Sequence, residues 1–297
     1  MEIRNCTACD QDINRLTFSR YVKISSLVDL LHGKIFIPSF ETLRKADPQE
    51  LDVPAYSFDF LERAFFNNPT FEQEQQWLQQ RWEERIGTKF REVEDLKDRV
   101  LFMEWIRELA HRRCTWCWFV SLDCTEESIA MWNLYAKDGV LIKTTWEGIQ
   151  NTLASELGYE AALFKVNYVR VGEHDDKFTS AENLNRPYLF KSKGYKHEQE
   201  MRVVFSKQGS WLHPGVTLQA DPKNLIKWLT FSPYLSGSEV ESLKQILFAN
   251  DGAERTPRLP GVVIDHSQRA LEEGMPESFF APVNESPVDI PSSIRTL

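Results

Sequence analysis

Hydrophobic and polar positions alternate in several stretches of the chain, and a period of two predicts strands. The first such stretch, TFSRYVKI (17–24), is followed by SSLVDLLHGK (25–34), whose spacing predicts a short helix. We expect Ser25 or Ser26 to cap that helix and Gly33 to end it. The next segment, IFIPSF, is extended again, so the chain begins as strand, helix, strand.

The pattern becomes helical between positions 58 and 112. Asn68-Pro69 is a typical helix start, and the Gln/Glu-rich segment after it runs to Gly87. A second helix is predicted over about 89–112, where apolar residues recur every three or four positions. We interpret 58–112 as a helical insertion, and its Gln/Glu-rich helices favour contacts with a protein partner.

Strands and helices alternate again after this insertion. Thr144 and Glu147 have the spacing of a capping box for a helix that Gly158 ends, and Ser238 and Glu241 have the same spacing near the C-terminus. The other predicted elements are the strand CTWCWFVSL (114–122), the helix TEESIAMWNLYA (125–136) with Thr125 or Ser128 as its cap, the strands DGVLIKT, LFKVNYVRV (163–171), NLIKWLTFSP and PGVVIDHS, and the helix SEVESLKQILFA.

One predicted strand carries charges on a single face. In HEQEMRVVF (197–205), alternation places Met201, Val203 and Phe205 on one side and three charged residues on the other. Those three are Glu198, Glu200 and Arg202. The simpler interpretation is a solvent-exposed face on which Arg202 pairs with its neighbours. The alternative is a pair of carboxylates that share one ligand.

Composition limits the classes of protein. The 297 residues carry a formal net charge of −9, which argues against a large phosphate-binding surface. The basic segment KSKGYKH (191–197) would still suit a small anionic ligand. The N-terminus lacks the pattern of a secretion signal and no apolar run is long enough to cross a bilayer, so we expect a cytoplasmic protein without a membrane partner.

Neither the cysteines nor a known short motif indicates a metal site, a nucleotide-binding site or a serine hydrolase. The chain has five cysteines, including the pairs Cys6/Cys9 and Cys114/Cys117, which in principle supply four zinc ligands. Cys114 and Cys117 would face opposite sides of a strand, so we expect thiols rather than a metal site. We find no glycine-rich nucleotide motif, no Walker motif and no Gly-x-Ser-x-Gly.

Three segments, in this order, resemble a bacterial and phage family long catalogued as a domain of unknown function. RYVKISSLVDLLHGKIFIPSFETLRKADPQE has the family's Arg-Tyr opening, its Asp47-Pro48 and its Glu50, with lysine-alanine before the Asp-Pro where Asn is expected. FVSLDCTEESIAMWNLYAKDGVLI is similar to the family's Phe-x-Ser and Met-Trp-x-x-Tyr. KSKGYKHEQEMRVVF matches a Lys and Glu-x-Glu-x-Arg, with Tyr195 where the family usually has Trp.

The order of these motifs is also similar to that of the ADP-ribosyltransferase superfamily. This resemblance implies an α+β fold with a mixed, mainly antiparallel sheet core of ADP-ribosyltransferase-like type in one domain over 1–297. The segment 282–297 lies outside the match, and its many Pro and Ser residues predict a loosely held tail. The resemblance implies NAD as the substrate and requires no metal. Glu200 would stabilise the oxocarbenium-like ribose, and Glu198 would orient or deprotonate the nucleophile.

The resemblance also implies four residues that bind NAD. Arg20 would hold the pyrophosphate or the adenosine-side ribose, and Ser121 would position the nicotinamide ribose. Tyr21 and Tyr135 would stack on nicotinamide. The ordinary alternatives remain open: a paired surface arginine, a locally bonded serine at a strand end, and tyrosines that belong to the core.

The nucleophile would decide the activity. A protein side chain or a nucleic-acid base gives a transferase, and water gives an NAD glycohydrolase, with a toxin or phage-defence role implied by the resemblance alone. A non-enzymatic sensor or binding module on the same fold is the second hypothesis. A metal-dependent nuclease that uses Asp47, Glu198 and Glu200 is the least favoured, because the usual Glu-x-Lys is missing.

Overall fold

The computed structural model of the protein describes residues 3–5, 12–51, 76, 80, 83, 84, 107, 110–121, 127–153, 158–170, 186–207, 210, 212–247 and 263–266. Most of the predicted insertion at 58–112 and all of the tail at 282–297 lie outside these residues. The described residues belong to two compact units. The first draws on Met1–Cys9, Phe36–Trp118 and Glu156–Thr217, and the second on Asp10–Ile35, Phe119–Ser155 and Leu218–Leu297. The assignment of one domain to 1–297 stays a prediction.

The regular elements of the described residues are short, and helices and strands are mixed along the chain. The helices are α1 (Ile24–Leu31), α2 (Phe40–Ala46), α3 (Ile129–Tyr135), α4 (Trp146–Thr152), α5 (Pro222–Leu225) and α6 (Gly237–Leu247), with 3-10 helices at Ile13–Arg15, Pro187–Leu189 and Lys193–Glu198. The strands are β1 (Ile3–Asn5), β2 (Thr17–Lys23), β3 (Lys34–Pro38), β4 (Cys114–Ser121), β5 (Gly139–Thr144), β6 (Glu160–Lys165), β7 (Asn167–Val169), β8 (Phe190–Ser192), β9 (Glu200–Ser206), β10 (Gly215–Gln219), β11 (Trp228–Phe231) and β12 (Val263–His266).

In the first unit, the strands of the main sheet lie in the order β1, β6, β9, β4. β1 is parallel to β6, and β6 is antiparallel to β9, with Ala162 opposite Val204. β9 is an inner strand between β6 and β4, and because each residue from Glu200 to Phe205 is buried, both of its faces are covered. The predicted core positions Met201, Val203 and Phe205 are confirmed, at 1% exposure or less.

In the second unit, the order is β4, β2, β5, β11, β12, and β4 contributes to both units. β2 is antiparallel to β4 and β5, β5 is antiparallel to β11, and only β12 pairs in parallel. Tyr21 packs edge-on against Trp132 of α3, whereas Phe18 contacts Trp146 of α4. Neighbouring helices therefore cover opposite faces of β2. The described residues confirm a mixed α and β fold whose sheet is mainly antiparallel.

Most helix boundaries differ from the predicted caps by one or two residues. Gly33, at φ 76°, follows α1 as expected, but Lys23 is the N-cap and makes no side-chain cap bond. The prediction of Ser25 or Ser26 is wrong because β2 runs directly into the helix, which places both serines inside its first turn. Ser128 caps α3, as predicted, and accepts a hydrogen bond from the amide of Met131.

Both predicted capping boxes are shifted. Thr145, not Thr144, caps α4, because Thr144 is the last residue of β5. The helix ends at Thr152, well before Gly158. At α6 the box is formed two residues earlier than predicted, by Ser236 and Glu239, whose carboxylate accepts a hydrogen bond from the Ser236 amide over 2.7 Å.

The segment 163–171, predicted as one strand, contains two: β6 ends at Lys165 and β7 begins at Asn167. The amide of Val166 between them donates to the carbonyl of Glu200. Among the described residues, no helix is both long and apolar enough to cross a membrane.

Candidate functional site

Five charged residues of the first unit form one buried cluster. They are Glu50, Lys191, Glu198, Glu200 and Arg202, and none is more than 6% exposed. Lys191 joins the two predicted catalytic carboxylates, because its Nζ donates to Glu198 Oε2 over 2.6 Å and to Glu200 Oε2 over 3.1 Å. The two glutamates therefore lie close together, as the sequence predicts, and the ammonium group of Lys191 lies between their carboxylates. We call these five residues the acidic cluster.

The local backbone explains why both glutamates point inward. Glu198 is the last residue of the 3-10 helix Lys193–Glu198 rather than part of the strand. Gln199 follows in the left-handed region, at φ 44°, and β9 begins at Glu200. The interpretation of Glu198, Glu200 and Arg202 as an exposed face is wrong, because all three side chains are buried, at 2% exposure or less.

Arg202 organises the cluster from the opposite side to Lys191. Its Nε and Nη2 donate to the two oxygens of Glu200, and Nη1 donates to the carbonyl of Tyr188. The same Nη2 lies 2.7 Å from Glu50 Oε1, although this contact lacks the alignment of a hydrogen bond. The ring of Phe40 lies 5.5 Å from the guanidinium carbon. The planar fork of arginine suits this arrangement, which lysine could not reproduce.

The pKa values of the two acids that Arg202 contacts, Glu200 and Glu50, are shifted in opposite directions. Burial alone would raise the pKa of Glu200, but Arg202 and Lys191 outweigh it and hold this pKa at about 2. Burial raises the pKa of Glu50, and Arg202 only partly offsets the effect. Three carboxylates face two cations, so Glu50 is the member best suited to carry a proton.

Lys191 remains charged in this setting. Burial would lower the pKa of Lys191, yet Glu200 and the other acids raise it well above its usual range. Burial would likewise lower the pKa of Arg202, and Glu200 and Glu50 raise it. Within the cluster, the ionised Glu200 therefore lies between two side chains that stay positively charged.

Aromatic and thiol groups surround these charges. The hydroxyl of Tyr168 accepts a hydrogen bond from the Glu200 amide over 2.8 Å. The ring of Tyr195 lies over Lys191, with 4.7 Å from Nζ to the ring centroid. The thiol of Cys117 on β4 hydrogen-bonds the Glu200 carboxylate, which helps to lower the pKa of that glutamate. The carboxylate is thus contacted from several directions by polar hydrogens.

The four predicted NAD-binding residues all belong to the second unit. Arg20 and Tyr21 are neighbours in β2 and so point to opposite faces of the sheet. Ser121 lies opposite Thr17 in the β2–β4 pairing, which puts it on the face of Tyr21. The structure brings Tyr21, Ser121 and Tyr135 towards one face, and Arg20 lies on the other.

The two tyrosines differ in what they could do. Tyr21 is 9% exposed, and its hydroxyl accepts a hydrogen bond from the amide of Ser128, so it is a core residue that fixes the start of α3. Tyr135 is 37% exposed and contacts the ring of Phe119. Only Tyr135 presents an accessible ring for stacking on a ligand.

Three members of the cluster were not among the predicted site residues. Glu50 follows the Asp-Pro pair, Lys191 opens the basic segment at 191–197 and Arg202 ends the Glu-x-Glu-x-Arg motif, so all three were visible as motif residues. Nothing in the sequence pairs Glu50 or Lys191 with Glu200, because those contacts depend on how β8, β9 and the segment after α2 come together. Asp47 has the turn role expected of it, since its side chain accepts from the Gln49 amide over 3.0 Å.

The described cysteines do not form a zinc site. Cys114 is buried, its Sγ donates to the carbonyl of Leu212, and burial raises its pKa to about 12. Cys117 faces the acidic cluster on the other side of β4. Within the described residues there is no group of three or more His, Cys, Asp or Glu that could hold a metal ion. Cys6 and Cys9 lie outside those residues.

Comparison with known proteins adds no relative. No protein-family model matches the sequence, and neither a curated protein nor a solved structure matches the chain.

Proposed function

We propose that this chain is an NAD-consuming enzyme with a fold of ADP-ribosyltransferase type, in which Glu200 is the carboxylate that acts on the ribose. The observation that carries this proposal is geometric: Lys191 Nζ holds the carboxylates of Glu198 and Glu200 together, at 2.6 Å and 3.1 Å, and Arg202 fixes the orientation of Glu200. The ribose chemistry needs an ionised carboxylate in a fixed position.

The reaction follows from charge development on the sugar. Cleavage of the nicotinamide–ribose bond leaves positive charge on the ribose, and a fixed carboxylate stabilises that transition state more than the ground state. Glu198 then orients or deprotonates the attacking group, which is a macromolecular acceptor or water. Lys191 and Arg202 hold the two carboxylates in a defined geometry before the substrate arrives.

The remaining roles follow the motifs. The roles expected of Tyr135, Ser121 and Arg20 towards NAD stay predictions from the motifs, and Arg20 lies on the opposite face of the sheet from Ser121. The acceptor is a protein or a nucleic acid, and a toxin or phage-defence role accords with the bacterial and phage family that the motifs resemble. The net charge of −9 favours a protein over a nucleic acid as the acceptor.

A non-enzymatic binding module on the same fold is the second candidate, and one observation favours it. Glu200 is 2% exposed and both of its oxygens accept hydrogen bonds from Arg202 or Lys191. Such a cluster can serve to fix β8, β9 and the segment after α2 in one arrangement. In that case NAD or a related ligand would bind without being consumed.

Nicotinamide release from NAD distinguishes the two. The purified chain is incubated with NAD, with and without cell extract as a source of acceptors, and free nicotinamide is measured by chromatography. Glu198→Gln and Glu200→Gln test the carboxylates. Glu160→Gln is the matched control, because Glu160 lies on the neighbouring strand β6 in an exposed pair with Arg4. Binding by calorimetry without nicotinamide release supports the binding module.

A further inference from the structure

We propose that Tyr168 is a positioning residue for the two glutamates, because its hydroxyl fixes the start of β9 and thereby the places of Glu198 and Glu200. This inference rests on the proposed function only for its effect on NAD, and its main test needs no NAD. All of the contacts involved lie within the first unit.

Both backbone polar groups of Glu200 are bonded to residues that follow β6. The carbonyl of Glu200 accepts a hydrogen bond from the amide of Val166 over 3.0 Å. The amide of Glu200 donates to the hydroxyl of Tyr168 over 2.8 Å. A buried amide needs an acceptor, and here a side chain supplies it where a sheet ordinarily uses the main chain of a neighbouring strand. The backbone at the first residue of β9 therefore depends on this hydroxyl.

The same tyrosine lies beside the strand that carries Lys191. Tyr168 is the middle residue of β7, and the parallel register of β7 with β8 pairs it with Lys191. Lys191 Nζ in turn donates to Glu200 Oε2 over 3.1 Å. Because β7 and β8 form a sheet of their own, Tyr168 connects the strand of the ammonium group to the strand of the carboxylate.

The turn before β9 makes this bond important for both carboxylates. Gln199 is in the left-handed region at φ 44°, a conformation that costs energy for a residue other than glycine. It separates Glu198, at the end of the 3-10 helix, from Glu200, so its conformation decides whether both side chains reach Lys191. The bond from Tyr168 to the next amide stabilises this turn, and its loss should let the two carboxylates move apart.

Tyr168→Phe tests the hydroxyl without changing a charge. Burial raises the pKa of Tyr168, and the charges of Glu200 and Glu198 raise it further, so the hydroxyl keeps its proton at neutral pH. Tyr159→Phe is the matched control. Tyr159 precedes Glu160, which pairs with Ser206 at the other end of the β6–β9 pairing.

Carbon-13 NMR of glutamate labelled at the side-chain carboxyl reports on the carboxylates directly. Tyr168→Phe should shift the signals of Glu198 and Glu200, leave that of Glu160 unchanged, and raise hydrogen exchange at the Glu200 amide by about tenfold. Tyr159→Phe should change none of these. If Tyr168→Phe does not fold, 3-fluorotyrosine at position 168 keeps the hydroxyl, weakens its oxygen as an acceptor, and should shift the same two signals. Unchanged signals of both glutamates in the folded variant would overturn the proposal.

Kinetics give a second readout, which a purely structural role of Tyr168 would not produce. In nicotinamide release, Tyr168→Phe should lower kcat by about tenfold while KM stays within about twofold of the wild-type value, because the carboxylates are misplaced for the transition state. A rise in KM with unchanged kcat would contradict the positioning role. If the wild type releases no nicotinamide, the proposed function fails, and the carboxylate signals still decide whether Tyr168 positions the two glutamates.

Discussion

Glu50 and Arg202 lie 2.7 Å apart, carboxylate oxygen to guanidinium nitrogen, in the interior of the first unit. The contact joins the Asp-Pro segment to the Glu-x-Glu-x-Arg segment, two motifs that are far apart in the sequence. Arg202 also holds both oxygens of Glu200. One arginine therefore links the segment after α2 to the carboxylate proposed to act on NAD.

Replacing Arg202 should have a large effect on stability. Arg202→Met leaves Glu50 and Glu200 buried beside one remaining cation, and removing one partner of a buried pair costs about 3–5 kcal/mol. The free energy of unfolding from urea titration measures this. Arg4→Met, in the exposed pair with Glu160, should cost less than about 1 kcal/mol. Similar losses for the two variants would contradict the account of the cluster.

Glu50→Gln should be tolerated far better. Burial raises the pKa of Glu50, so a neutral side chain of the same shape suits this position. We expect the free energy of unfolding at pH 7 to remain within about 1 kcal/mol of the wild-type value. A loss as large as that of Arg202→Met would mean that Glu50 is an essential anion in the cluster.

The free energy of unfolding should fall at low pH because of Glu200. Its folded pKa is lowered to about 2 from an ordinary 4.5, so the folded state gives up this proton more readily than the unfolded one. The stabilisation is present in full above pH 4.5 and is lost as the pH falls towards 2, and its size is on the order of 3 kcal/mol.

Unfolding free energies of wild type and Glu200→Gln between pH 2 and 7 measure this difference. The gap between the two proteins should narrow steadily below pH 4.5. Glu50 has the opposite sign, because its folded pKa is raised: its contribution is present below pH 4.5 and is lost as the pH rises through the folded pKa. A gap between wild type and Glu200→Gln that does not change with pH would show that Glu200 is not held ionised by its neighbours.

Two glycines offer a steric test. A Cβ added at Gly139 would lie 2.1 Å from the carbonyl oxygen of Val22, which no side-chain rotation can relieve. Gly139→Ala should therefore destabilise the chain by about 1–3 kcal/mol or more, since β5 must move away from β2. Gly194→Ala meets open space and should change the melting temperature little. Equal effects of the two substitutions would contradict the described pairing of β2 with β5.

The alternation of residues allowed several elements to be predicted, because a strand or helix with one buried face has a local signature. The core side of β9, with Met201, Val203 and Phe205, is an example. The other side could not be predicted: Glu200 and Arg202 look like surface residues, and only the neighbours brought by the fold make them buried partners. The sequence likewise could not show that Gln199 would reverse the local geometry, which turns Glu198 inward as well.

Helix starts were predicted less accurately, because the choice between two possible caps also depends on the neighbouring structure. Ser236 and Glu239 have the same chemistry as the predicted pair Ser238 and Glu241, and the choice between them depends on where the preceding strand ends. Of the predicted NAD-binding residues, Arg20 and Tyr21 cannot share a face because they are adjacent in β2, a constraint that the alternation of the strand already contains.

The most direct test is nicotinamide release by wild type compared with Glu200→Gln, at a temperature where circular dichroism shows both to be folded. The account predicts that the wild type releases more nicotinamide than there are protein molecules, and that Glu200→Gln is slower by about 100-fold or more. If the wild type leaves NAD intact with every acceptor source, or Glu200→Gln matches it, Glu200 is not the carboxylate of an NAD-consuming site.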